Sequence, residues 1–244
     1  MEREKWIDMG KGIAILSVIF GHLSSLDSKN SIYLLVYAFH MPIFWIISGM
    51  LLSGKDYNNV SMLETIKKKA KSIMYPYVIF SLIIVAYNYI GLNLNLVSKS
   101  QFKLVVKNSV YFRGMNCLWF LPVLFVAEIV FIYLIKHRQN IVLWGISFAV
   151  IATLIAVFLS KTDLFKENPM KMYKKYCLIL PKVCFALSFI SLGYTIKEYF
   201  KIIKKYWLLF ALVGVSVSYY IIKVYHKKTD INYCVIHSPK VFWV

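Results

Sequence analysis

Apolar residues gather along this chain in long runs, separated by short polar connectors rich in lysine. Seven runs approach the length a membrane-crossing helix needs, about 20 residues: 11–26, 32–52, 73–92, 117–135, 141–159, 177–196 and 206–225. Another apolar stretch begins in the final segment IHSPKVFWV. Lipid offers no partner to an open backbone N–H or C=O, so each run must close its hydrogen bonds within itself as a helix. The pattern predicts an all-α fold, a polytopic transmembrane helical bundle of about seven spans plus the start of an eighth, forming one domain over residues 1–244.

The connectors fit that reading. SGKDYNNVSMLETIKKKAKS, after the second run, is basic and reads as a helix lying along the membrane surface; KHRQN is a tight turn, and KTDLFKENPMKMYKK is a longer polar loop containing Pro169. The first run is short and carries Gly12, Ser17, Gly21 and His22 with no small-residue cleavage site after it, so it reads as a retained helix rather than a signal peptide.

Composition sharpens the picture. The chain is 59% hydrophobic and 16% charged, against about 25% charged in an average soluble domain. A soluble fold with so few charges could not cover its core. The net charge of +18 would point to nucleic acid in a soluble protein. Here the lysines fall between apolar runs, where they meet lipid headgroups, so the partner is membrane lipid and not nucleic acid. With the N-terminus inside, the early inner segments hold Arg3, Lys5, Lys11, Lys55, Lys67, Lys68, Lys69, Lys71, Lys136 and Arg138, while the first outer loop holds only Lys29. That asymmetry predicts a cytoplasmic N-terminus. Cys117, Cys177, Cys184 and Cys234 form no C-x-x-C pair and no metal-like spacing, and they read as small hydrophobes.

Ionisable residues inside apolar runs are costly and are candidates for function. His22 follows Lys11 by eleven residues, about three turns, so both lie on one side of a helix. Such a pair fits a cleft open to the cytosol; it equally fits a buried histidine bonded to a neighbouring helix with Lys11 snorkelling. His40 precedes Pro42 in FHMPIFWIISGMLL, where the proline removes a backbone bond and Ser48-Gly49 allows close helix packing. Glu128 is a further intramembrane charge, and Asp8 stands three residues from Lys11, a spacing that pairs them. Lys67, Lys68, Lys69 and Lys71 read either as lipid anchors or as a phosphate site. P-loop, G-x-S-x-G and H-E-x-x-H patterns are absent.

Four segments together resemble the acyltransferase-3 family of membrane-bound O-acyltransferases: IDMGKGIAILSVIFGH, FHMPIFWIISGMLL, KKKAKSIMYPYVIFSL and LWFLPVLF, with an echo at Leu192-Gly193-Tyr194. Each meets a span boundary, in the family's order. The likeness covers roughly residues 5–200 and is closest to the fucose 4-O-acetylase-like branch, where lysine replaces the usual arginine at the position of Lys11. Lysine lacks the bidentate fork of arginine. Family members carry more spans, which implies a chain truncated at its C-terminus.

The resemblance implies a cell-membrane enzyme, in a bacterial inner or plasma membrane, that moves an acyl group from acyl-CoA to a hydroxyl of a cell-surface carbohydrate. The donor expected is acetyl-CoA, and no metal is implied. His22 would be the general base or an acyl carrier, Lys11 would bind a CoA phosphate or fix the charge of the site, and His40 would orient substrate. Lys67, Lys68, Lys69 and Lys71 would attract the CoA phosphates, and Trp119 would wall the cleft or simply pack. Succinyl and other acyl groups, and the identity of the acceptor sugar, stay open. Two other readings stand beside this one: a small transporter or channel subunit whose pathway His22, His40 and Glu128 line, and an inactive remnant.

Overall fold

The computed structural model describes residues 5–23, 31–113, 116–137, 139–161 and 179–199, and every regular element among them is helical. The helices are α1 (Lys5–Leu23), α2 (Ser31–Ser53), α3 (Met62–Lys69), α4 (Tyr75–Asn93), α5 (Lys99–Val110), α6 (Phe120–Lys136), α7 (Ile141–Lys161) and α8 (Ile179–Glu198). A π-helical turn, Ala70–Met74, joins α3 to α4, and a 3-10 turn, Asn116–Trp119, leads into α6. Among the described residues, three stretches are long and apolar enough to cross a membrane: Met62–Asn93, Ile141–Phe158 and Ile179–Glu198. His40–Ser53 is apolar but shorter. These are the features of a helical membrane protein.

Six of the seven predicted runs coincide with described helices. The run 206–225, the final apolar stretch and, beyond Lys161, the loop 161–175 lie outside the described residues. Two boundaries differ from expectation. α1 begins at Lys5 rather than at residue 11, because hydropathy marks where apolar residues begin, whereas Trp6, Ile7 and Met9 already favour a helix closed by an i,i+3 ion pair. Helix α5 was not expected, since Lys99, Lys103 and Lys107 break its apolar run.

The chain divides into two compact units, Met1–Lys55 with His137–Val244, and Asp56–Lys136. In the first, α2 and α8 pack backbone to backbone. A Cβ on Gly49 would overlap the Ile190 carbonyl, and a Cβ on Gly193 would overlap the Ile46 carbonyl. Lipid tails are as apolar as leucine, so helices in a membrane are held by such close packing rather than by a hydrophobic drive. Beside this contact Trp45 is fully buried, its ring 5.9 Å from that of Phe189 and nearly parallel to it. α7 meets α8 where a Cβ on Gly145 would come within 2.7 Å of the Ser191 Cβ. α1 lies on α2 through Ile7, Gly10 and Ala14, three positions of one helix face, with Gly10 against Ile47.

In the second unit, Ser61 caps α3 by accepting from the Glu64 N–H at 3.1 Å. A capping box of Ser98 and Gln101 starts α5. α4 and α5 form an antiparallel hairpin. Phe102 meets Tyr89, Phe112 meets Tyr77, and the Tyr77 hydroxyl donates to the Ser109 carbonyl at 2.7 Å. Val97 fills the space at Gly91, where the chain reverses. Lys136, at the end of α6, donates to the Val60 carbonyl just ahead of α3.

The α2–α8 contact makes a sharp prediction. Gly193→Leu forces backbone atoms apart and costs at least the roughly 1–3 kcal/mol of an overpacked core, lowering the thermal midpoint in detergent. Gly12→Ala, where a Cβ meets nothing within 4 Å, does not lower it and adds up to about 1 kcal/mol through helix propensity.

Candidate active site

The first unit holds Lys11, His22 and His40. One continuous helix, α1, carries Lys11 and His22, in keeping with their eleven-residue spacing; the side chain of His22 lies outside the described residues. Lys11 pairs with Asp8 across 3.7 Å, both side chains being about two-fifths exposed. An exposed pair of this kind adds little stability but holds the ammonium on its helix face. The earlier start of α1 sets Lys11 about 9 Å along the helix from Lys5. His40 is 6% exposed, on the same helix as Met41, Trp45 and Ser48, all buried. α2 runs unbroken through Pro42.

The second unit holds the basic segment and Trp119. Pro76 has no N–H, and in a regular helix its ring would strike the carbonyl one turn earlier. The chain avoids this by widening the preceding turn. The Tyr75 N–H donates to the Ala70 carbonyl, five residues back, which is the π pattern. This wide turn lies within the run of lysines. Lys67, Lys68 and Lys71 are exposed. Lys69 is turned inward, its side chain 17% exposed, with Nζ 2.5 Å from Oε2 of Glu128 on α6. Lysines that look equivalent in the sequence thus divide into one structural cation and three available ones.

Glu128 is 6% exposed and shares the buried face of α6 with Val123, Ala127 and Phe131. Its carboxylate is costly to bury alone, and the Lys69 ammonium offsets that cost. The sequence marked both residues but did not join them. The available signal was that no Asp or Glu occurs between Glu64 and Glu128, which makes Glu128 the nearest carboxylate downstream of the lysine run. Trp119 is buried, 6% exposed, with its ring edge-on to Phe120 at 6.4 Å. Arg113 was not singled out from the sequence, yet its Nε and Nη2 are buried. It follows Phe112, whose φ of 54° turns the chain sharply after α5, and its N–H donates to the Asn108 carbonyl at 2.9 Å.

Removing one partner of the buried pair leaves an uncompensated charge. Lys69→Met should cost roughly 3–5 kcal/mol, and Lys69→Met with Glu128→Leu should recover most of it, as read by thermal unfolding in detergent.

Among the described residues no three His, Cys, Asp or Glu side chains gather as a metal site. No curated protein and no solved structure matches the chain. The sequence profile of the acyltransferase-3 family, described as an acyltransferase domain, matches residues 4–243. That span is nearly the whole chain and includes both groups of polar residues, so this protein belongs to the acyltransferase-3 family.

Proposed function

We propose that this protein is an O-acyltransferase that takes an acetyl group from acetyl-CoA and places it on a hydroxyl of a cell-surface carbohydrate, in the manner of the fucose 4-O-acetylase-like branch. The observation that carries the reading is the family match over 4–243, joined to the ordered segments around Lys11, His22, His40 and the lysine run.

The chemistry follows from the side chains. A sugar hydroxyl is a poor nucleophile at neutral pH, and a neutral imidazole is a base matched to that pH. His22 takes the hydroxyl proton as the oxygen attacks the thioester carbonyl. The tetrahedral centre then collapses, the C–S bond breaks, and the CoA thiolate recovers the proton from His22. Lys11 supplies positive charge on the same side of α1, which favours an anionic donor and the negative charge that develops on the carbonyl oxygen. His40, buried on α2, orients a substrate group. Lys67, Lys68 and Lys71, exposed around the π turn, attract the CoA phosphates as point charges. Lys69 serves this group indirectly, because its bond to Glu128 fixes the wide turn on which the others stand.

In membranes supplied with radiolabelled acetyl-CoA and cell-surface carbohydrate, His22→Ala should lower transfer by about 10²–10⁴-fold, the usual contribution of a general base. Full transfer by that variant would remove His22 from the mechanism. Replacing Lys67, Lys68 and Lys71 together by Gln should raise KM for acetyl-CoA with little change in kcat, since they bind a part of the donor remote from the reacting atoms.

A further inference from the structure

An open groove of about 310 Å³ lies between α7 and α8. Small residues leave the space: Gly145 and Ala149 from α7, Ser188 and Ser191 from α8. The lining is almost wholly apolar although α8 brings three hydroxyl groups to it. Each hydroxyl is spent on its own helix. Ser188 donates to the Phe185 carbonyl at 2.8 Å, Ser191 to the Leu187 carbonyl at 2.8 Å, and Thr195 to the Ser191 carbonyl at 2.9 Å. An apolar cavity of roughly 150 Å³ accepts a benzene ring, so this groove takes several apolar side chains.

The course of the chain says which side chains those are. Two sides of α8 are taken, since Gly193 meets Ile46 of α2 and Ser191 meets Gly145 of α7. The side bearing Leu192 is 47% exposed at that residue. Only residues 199–205 separate the end of α8 at Glu198 from the apolar run 206–225. Connectors of about 2–8 residues are usual between neighbouring bundle helices, and consecutive elements usually lie side by side. The groove occupies residues 188–195 of α8, close to that connector. With Tyr206 level with Glu198 in an antiparallel pair, residues 209–216 stand level with the groove. Ala211, Gly214 and Ser218, spaced by three and four, share one helix face. Small residues on both partners let backbones approach closely, which is what holds helices together in lipid. A lipid tail gains nothing from them.

We propose that the apolar run 206–225 is the occupant of this groove, a helix antiparallel to α8 that turns Ala211, Gly214 and Ser218 toward Gly145, Ala149 and Ser188. The seat bears on the candidate active site. Phe189 also lines the groove, and its ring lies 5.9 Å from that of Trp45 on α2, the helix that carries His40. A helix in the groove backs Phe189 and, through it, α2. The inference rests on packing and chain length and holds whatever reaction the protein catalyses.

The test uses the full chain in membranes, with Cys117, Cys177, Cys184 and Cys234 replaced by Ala and pairs of cysteines added. Thr195→Cys with Leu208→Cys, and Ser188→Cys with Val215→Cys, join the groove to the small-residue face at two levels. Ser188→Cys with Ser216→Cys puts the second thiol at the same level on the opposite face. Gly145→Cys with Ser191→Cys, between positions already in contact, is the reference for oxidation at this depth. After treatment with copper phenanthroline, remaining thiols are counted by the gel shift of a polyethylene-glycol maleimide. Both facing pairs should close within one chain, several-fold more than the Ser216→Cys pair. Ala149→Phe, which fills the groove, and Gly214→Leu, on the run itself, should each reduce that closure several-fold while the reference pair still closes. Facing pairs that stay open while the reference closes would leave the groove to lipid and overturn the proposal. So would closure between two chains, seen as a disulfide-linked dimer, which would make a second copy the occupant. Equal closure of the Ser216→Cys pair, or closure indifferent to both filling substitutions, would place the run outside the groove and overturn it as well.

Discussion

The buried pair of Lys69 and Glu128 is the interaction on which the second unit turns. A carboxylate on an apolar helix is tolerable only with a cation against it, and the sequence around it supplies cations without competing acids. Meeting that need draws Lys69 inward and ties the end of α3 to α6. The π turn, Ala70–Met74, comes next in the chain, and α4 starts with Pro76 in its first turn. The positions of Lys67, Lys68 and Lys71 on the outside are consequences of Lys69 being inside. A charge-neutral buried pair thus orders a surface whose own charge is strongly positive.

The first unit relies on a different device. α2 and α8 approach so closely at Gly49 and Gly193 that each backbone lies where the other's side chain would be. This contact fixes the rotation of α2, which carries His40 and the fully buried Trp45. The polar residues of α2 are positioned by the absence of side chains at Gly49 and Gly193 as much as by any bond they make. α1 rests on α2 by a small-residue face of its own, so Lys11 is carried on a helix whose register against α2 is set by Gly10 and Ala14.

One lysine-rich sequence serves several ends in the two units. Lys11 has a local carboxylate, Asp8, and stays half-exposed. Lys69 has a distant one, Glu128, and is turned inward. Lys136 caps a carbonyl of the loop before α3. The three lysines of α5 stand on a helix without any acidic residue. The net charge alone does not separate these uses, because the difference lies in what each ammonium meets.

The helical membrane character of the chain was legible in the sequence, because a backbone in lipid has few ways to satisfy itself and long apolar runs announce the solution. The family was legible too, since its motifs lie in short contiguous segments such as FHMPIFWIISGMLL. The pairing of Asp8 with Lys11 and the close approach at Ser48-Gly49 followed from helical periodicity and residue size. What the sequence left unstated depends on contacts across long separations. The partnership of Lys69 with Glu128 spans 59 residues, and nothing local marks one lysine of four as structural. Helix α5 was hidden because its lysines break the apolar pattern, and only packing along α4 reveals which face they occupy. The burial of Trp119 beside Phe120 comes from the turn that delivers it. Periodicity and composition determine which segments become helices; which side of each helix is available for chemistry is decided by what the tertiary fold sets against the other sides.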